Sequence, residues 1–263
     1  MKKSTLRIAA VILALAVVAV GVWYFFLRDK GAEPAGSKLI IGTEGNWAPW
    51  TYHDPETGNL TGFDVEVARA VAAKLGVEPD FQEVEWTAIL AGLETRRYDT
   101  AANGFGITEE RQKTYNFSDP YAYSITVLVV RDDNTEITSF EDLKGKKTAN
   151  SASSTYMAMG EKFGASVTAI ESLADTMSQV IDGRVDATIN ALDSFNDYMK
   201  EKPGAPLKIV ATSDEKTPVG FPFNKSADPE LLKRVNAAIA ELRADGTLKA
   251  ISEKYFGMDI TAE

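Results

Sequence analysis

Hydrophobic positions repeat with two periods along this chain. From Gly62 to Leu75, Phe63, Val67, Val71 and Leu75 recur every fourth residue, with Ala70 beside them; that spacing predicts a helix with one buried stripe, and Gly76 suits its left-handed C-terminal position. Short apolar runs flank it. Lys38 to Gly42 and Asp80 to Val84 read as strands, Trp86 to Arg97 as a second helix with Ile89, Leu90 and Leu93 inward, and Asp99 to Ala102 as a third strand. This alternation predicts a parallel sheet covered by helices.

Tyr121 to Val130 is a long β-rich stretch, followed by a polar segment and a short capped helix at Ser139 to Leu143. A second α/β series begins at Lys146: a strand to Asn150, a Ser-rich loop, a helix from Tyr156 to Phe163 and a strand from Ser166 to Ile170. A helix from Leu173 to Asp182 and a strand from Ala187 to Asn190 come next, and Pro218 to Phe223 reads as another extended segment. Asp228 and Pro229 open a helix with Leu232, Val235, Ile239 and Leu242 on one stripe. A short helix, Thr247 to Tyr255, follows. The pattern predicts two α/β units, the second inserted into the first. The expected parts are residues 38–130 with 221–263 as one lobe and 131–220 as the other. Hinge strands are expected near 127–131 and 218–223, and ligand in the cleft between the lobes.

The N-terminus differs from the rest. Lys2, Lys3 and Arg7 precede Ile8 to Leu27, a run of 20 residues without a charge. That length suits a membrane-crossing helix, and Trp23 to Phe26 would lie at its outer interface. The positive charges before the run place the body outside the cytoplasm, with residues 1–37 as signal anchor and tether. A long cleaved signal sequence is the other reading.

Composition narrows the chemistry. There is no cysteine and one histidine, His53, so thiolate sites and multi-histidine metal sites are excluded. Net charge is −10, with 28 Lys and Arg against 38 Asp and Glu, which argues against a nucleic-acid partner. The chain has no P-loop, no dinucleotide fingerprint and no G-x-S-x-G elbow. Arg111 lies just past a predicted strand end, where a guanidinium can hold a carboxylate through two hydrogen bonds, although an Arg in such a run is usually solvated. Asn150 to Thr155 precedes a helix and reads equally as an anion-binding N-terminus or a capped polar loop. Trp47, Trp50, Tyr52 and Trp86 sit at strand or helix ends, as core residues or as walls for a ligand.

The segments GTEGNWAPWTYHDPETGNLTGFDVEVARAVAAKLG, ITEERQKTYNFSDPY, FEDLKGKK and GRVDATIN occur in the order found in family-3 solute-binding proteins, the polar-amino-acid-binding components of ABC importers. The resemblance covers residues 38 to about 260. SFEDLKGKK, DGTLKAISEKYFGMDIT and DYMK resemble the cystine-binding branch most. It implies an α/β, type II periplasmic-binding-protein fold that clamps an α-amino acid by hinge closure and delivers it to an ABC permease. It also implies a monomer without cofactor, metal or catalytic chemistry, at the periplasm or the outer face of the cytoplasmic membrane.

By resemblance, Arg111 binds the α-carboxylate with Ala152, Ser153 and Ser154. Trp47 and Trp86 sandwich the side chain. The loop containing Gly104 and Gly106 offers carbonyls to the ammonium, and Glu44 contacts the side chain. Relatives place an Asp five residues after the position of Asp186; here that residue is Ala191, and Asp193 is the expected substitute, on the view that alternation in extended chain keeps 191 and 193 on one face. A dehydratase of cyclic acids on the same scaffold, with Glu44 or Asp193 as general acid, and a ligand-sensing domain are the alternatives.

Overall fold

The computed structural model describes residues 38–263. The Ile8–Leu27 segment and the tether that follows lie outside the described residues. No helix among the described residues is long and apolar enough to cross a membrane.

Two sheets organise the body. The first has β1 (Lys38–Thr43) at its centre, parallel to β5 (Glu78–Glu83) and β6 (Thr100–Ala101). Three short strands lie between β1 and the first helix: β2 (Asn46–Trp47), β3 (Thr51–His53) and β4 (Leu60–Thr61). Helix α1 (Phe63–Leu75) buries Phe63, Val67 and Val71 against Leu39 and Ile41, and Gly76 ends it in the left-handed conformation. Helix α2 (Trp86–Glu94) buries Trp86, Ile89 and Leu93. It stops before the expected Arg97, at Thr95.

The second sheet runs β11-β10-β12-β9-β13: β9 (Thr126–Arg131), β10 (Lys147–Asn150), β11 (Ser166–Ala169), β12 (Ala187–Ala191) and β13 (Leu207–Thr212). Strand β9 is antiparallel to both of its neighbours. Its Val127 and Val129 face the core formed with Met177, Val180 and Phe195, whereas Leu128 and Val130 face Leu143 and Ile189. A strand covered on both faces has no reason to alternate, which is why this stretch is apolar throughout. The expected boundary after residue 130 and the expected hinge at 127–131 both cut into β9, which pairs inside the second sheet.

The chain passes between the sheets a little earlier. β8 (Ala122–Ser124) pairs antiparallel with β14 (Thr217–Val219), and β7 (Tyr115–Phe117), preceded by the short helix α3 (Glu109–Thr114), pairs with β15 (Pro222–Asn224). Ile125 separates β8 from β9, and Gly220 and Phe221 separate β14 from β15. Helices α4 (Thr155–Lys162), α5 (Leu173–Ile181) and α6 (Leu192–Glu201) belong to the second sheet. The last two helices, α7 (Pro229–Ala244) and α8 (Thr247–Phe256), return to the first; Val235, Ile239 and Leu242 join its core. We call the two parts the first and second lobes.

Candidate functional site

A cavity lies where the carboxyl ends of the strands of both lobes meet. The first lobe contributes Glu44, Trp47, Trp86, Gly104 and Arg111; the second contributes Ser154. These are six of the ten residues expected from sequence. Asn103, Asn150, Tyr156, Glu171, Thr176 and Asn190 also line it.

Arg111 sits in the first turn of α3. Thr108 caps that helix, its Oγ1 accepting from the Arg111 backbone N–H at 3.2 Å. The guanidinium lies 5.5 Å from the ring centres of both Trp86 and Phe105. Those two rings stack at 4.8 Å. Nη1 donates to the Gly106 carbonyl at 3.1 Å and Nη2 to the Ser153 carbonyl at 3.3 Å. Burial lowers its pKa to about 10, which leaves it charged at neutral pH. Among the described residues it has no carboxylate partner.

The Ser-rich loop acts differently from the expectation. Ser154 is the N-cap of α4, its Oγ accepting from the Met157 N–H at 3.0 Å. Ala152 and Ser153 do not line the cavity. Their carbonyls accept hydrogen bonds from the first lobe instead: Trp86 Nε1 donates to Ala152 at 2.7 Å, and Arg111 to Ser153. Ser153 has φ 60°, a left-handed turn that directs its carbonyl across the cleft. Gly106 likewise supports Arg111 rather than lining the cavity.

Glu44 is half-buried at the end of β1. Asn103 holds it twice: Nδ2 donates to Glu44 Oε2 at 2.7 Å and Oδ1 accepts from the Glu44 backbone N–H at 2.9 Å. Burial raises its pKa to about 7, helped by Glu85 and Glu171 and opposed by the Asn103 hydrogen bond. Gly104 continues the same loop at φ 60°, with its N–H donated to Asp64 Oδ2. Asp64 is fully buried at the start of α1 and also accepts from Tyr121 Oη at 3.0 Å. It positions the loop that carries Asn103 and Gly104, a role that nothing in its local sequence signals. Trp47 stacks on Trp50 at 5.6 Å, so the outer ring walls the cavity while the inner one is core.

Asp193 is not in this cavity. β12 ends at Ala191 and α6 begins at Leu192, so the extended alternation expected to carry 193 onto the face of 191 stops between them. Asp193 lines a second cavity beside Tyr123, Tyr255 and Phe256. Burial raises its pKa to about 7, against the backbone N–H groups of Asp193 and Ser194 at the helix start. Asn190, near the end of β12, was missed from sequence, and strand-end position was its one available signal; Asn150, at the end of β10, was named only as the first residue of a possible anion-binding loop.

Comparison with known proteins agrees with this architecture. Residues 39–258 match the model for bacterial extracellular solute-binding proteins, family 3. A probable amino-acid ABC transporter-binding protein of Haemophilus influenzae is 44% identical over 223 residues, 85% of this chain and 86% of that protein. The L-cystine solute receptor of Neisseria gonorrhoeae, solved unliganded and open, is 43% identical, covering 88% of this chain and 97% of that one with a TM-score of 0.59. An ancestral arginine-binding protein bound to arginine is 36% identical, covering 84% and 98%, with a TM-score of 0.77. The α/β architecture is that of type II periplasmic binding proteins, and the chain belongs to family 3 of the bacterial extracellular solute-binding proteins.

Proposed function

We propose that this protein captures a polar α-amino acid, cystine foremost, between its two lobes and delivers it to an ABC permease at the outer face of the cytoplasmic membrane. The observation that carries this reading is Arg111: a desolvated, charged guanidinium at a cavity wall without a carboxylate partner among the described residues. A half-buried guanidinium whose protein acceptors are two neutral carbonyls is incompletely compensated, and a ligand carboxylate supplies the missing charged partner.

The lobes meet through the Trp86–Ala152 and Arg111–Ser153 hydrogen bonds. The closer match to an arginine-bound relative than to a more identical but open, unliganded one supports reading this as the closed state. The β8–β14 pair then serves as the hinge, and ligand favours closure because only the closed state offers contacts from both lobes. The N-terminal apolar run tethers the protein to the membrane in this reading.

The test is thermal unfolding of the full-length protein alone and with each of the twenty amino acids and cystine. Ligand at 100 times its Kd adds about 2.7 kcal/mol, several degrees for a body of this size. A shift confined to cystine or a narrow polar group supports the reading; no shift with any of them overturns it.

One observation favours a second reading. Glu44, with a pKa near 7 at the cavity wall, has the poise of a general acid, as a dehydratase would need. Prephenate and arogenate separate the two: product formation that Glu44→Gln abolishes would make this an enzyme.

A further inference from the structure

Asn150, on the second-lobe wall of the cavity, carries a buried acceptor that no donor among the described residues meets. Asn150 closes β10 and is 1% exposed. Its Nδ2 donates to the Ile189 carbonyl at 2.6 Å, which determines that the other end of the amide is the oxygen. That Oδ1 has no hydrogen-bond partner among the described residues, and Asn150 lines the cavity. A buried acceptor left unmet is costly, so its natural complement is a donor that arrives with the ligand.

Glu171 stands beside it. The Ile170 N–H donates to the Asn150 carbonyl at 3.0 Å, and Ser151 Oγ donates to the Glu171 carbonyl at 2.9 Å, so the two strand ends are tied together. Glu171 is exposed and Asn150 is buried, and both line the cavity. One offers a neutral oxygen and the other a carboxylate, both from the second lobe.

We infer that Asn150 Oδ1 and Glu171 together receive the α-ammonium of the bound amino acid; this rests on the amino-acid reading above. In an α-amino acid the ammonium sits on the carbon next to the carboxylate. A carboxylate held by Arg111 lies against the loop of residues 151–155, whose Ser153 carbonyl Arg111 also reaches. The residue immediately before that loop is Asn150. Position 191 is a buried Ala, and Asp193 lines the other cavity. The ammonium therefore has no aspartate on this wall and meets an amide oxygen and a more distant glutamate instead. An ammonium has three donors to share between such acceptors. Glu44, on the opposite lobe with Asn103, is left to the ligand side chain.

The test compares amino acids with counterparts that lack the α-ammonium: L-cystine with 3,3′-dithiodipropionate, and L-arginine and L-glutamine with their 2-hydroxy acids. Each is titrated calorimetrically into full-length wild type, Glu171→Gln and Asn150→Ala. Wild type is expected to prefer the amino member of the pair it binds by about 100-fold or more. Glu171→Gln is expected to cut that preference about tenfold or more, and Asn150→Ala about fivefold. A merely structural lesion weakens both members alike and leaves their ratio unchanged, and that result in both variants would overturn the inference. So would a wild type indifferent to the ammonium, with the amino-acid reading intact. Binding of no amino acid and no counterpart overturns both. If Asn150→Ala does not fold, Glu171→Gln decides, because an exposed side chain is not needed for folding.

Discussion

Trp86 Nε1 donates a 2.7 Å hydrogen bond to the carbonyl oxygen of Ala152, joining the first turn of α2 to the loop before α4 across the cleft. The same indole ring stacks on Phe105 and lies under the Arg111 guanidinium. One side chain thus links the contact between the lobes to the posture of Arg111, the residue proposed to take the ligand carboxylate.

Trp86→Phe separates these two duties. The aromatic face survives and the donor is lost. A neutral hydrogen bond contributes about 1 kcal/mol, so ligand affinity is expected to fall about fivefold. Thermal unfolding of the unliganded protein should shift down by a few degrees, because the smaller ring leaves part of the buried Trp86 site unfilled. Small-angle scattering with saturating amino acid is the check on closure; a variant that closes and binds as wild type would show that the Ala152 contact is incidental.

Arg111 is expected to tolerate no substitution. Arg111→Ala removes the cation, and Arg111→Lys keeps a charge but not the planar fork that can serve a carboxylate, Gly106 and Ser153 at once. Loss of a charged, desolvated hydrogen-bonded contact costs about 2–5 kcal/mol, so binding should fall by about 30-fold or more in both variants. Melting of the unliganded Arg111→Ala protein should stay close to wild type, since relief of a half-buried charge offsets the loss of its two carbonyl hydrogen bonds. Near-normal affinity in either variant, measured by calorimetry, would overturn the placement of the carboxylate.

The sequence and the structure part company at particular residues. Phe63, Val67 and Val71 were legible as the buried face of α1 because helical periodicity is local. So were the Asp228 cap and Pro229 at the start of α7. Strand β9 was legible as β but not as interior to the second sheet, because an apolar run reads the same in a crossing segment and in a strand covered on both faces. Helix α6 and strand β13 were not identified, and α6 turns Asp193 away from the cleft. Arg111 and Glu44 were found through motif resemblance, with Asn103 noted only as part of the loop beside them. Asn150 was noted as the start of a loop that reads equally as an anion-binding N-terminus or a capped polar loop. Its Oδ1 has no donor among the described residues, a property of three-dimensional packing that no spacing of residue types encodes.

Gly104 offers a test of the cavity wall that leaves every polar contact residue in place. Its φ of 60° is unfavourable for residues with a Cβ, and a Cβ there would lie 2.5 Å from Trp47 Cζ3. Gly104→Ala should push the Trp47 ring into the cavity or strain the loop that Asp64 holds. A loss of about 1–3 kcal/mol in stability is expected from the backbone alone. Affinity for the amino acid should also fall, and Trp47→Ala in the same background should restore part of it if the ring is the obstacle. Equal affinity in wild type and Gly104→Ala would show that Trp47 does not bound the ligand.

Glu44 is expected to make ligand binding sensitive to pH near neutrality. Its pKa is raised to about 7, chiefly by burial. The ionised form attracts a cationic ligand group and the protonated form does not, so affinity for a cationic side chain should decline as pH falls below about 7, by up to about tenfold per unit for one proton taken up. Glu44→Gln should flatten that profile. Stability of the unliganded protein should run the other way. Asp64 and Asp193, like Glu44, have carboxyls raised to about 7 by burial, well above the values they recover on unfolding. For an acid whose pKa is raised in the folded state, the associated stability is fully present below the unfolded value and is lost as pH rises through the folded one. Melting temperature should therefore drop between about pH 4 and 7, and Asp193→Asn should recover about 2–6 °C of it at pH 8. Asparagine can still accept from the two backbone N–H groups at the start of α6 without carrying a charge. A wild-type melting temperature that is flat or rising from pH 4 to 8 would show that these carboxylates are solvated better than their burial implies.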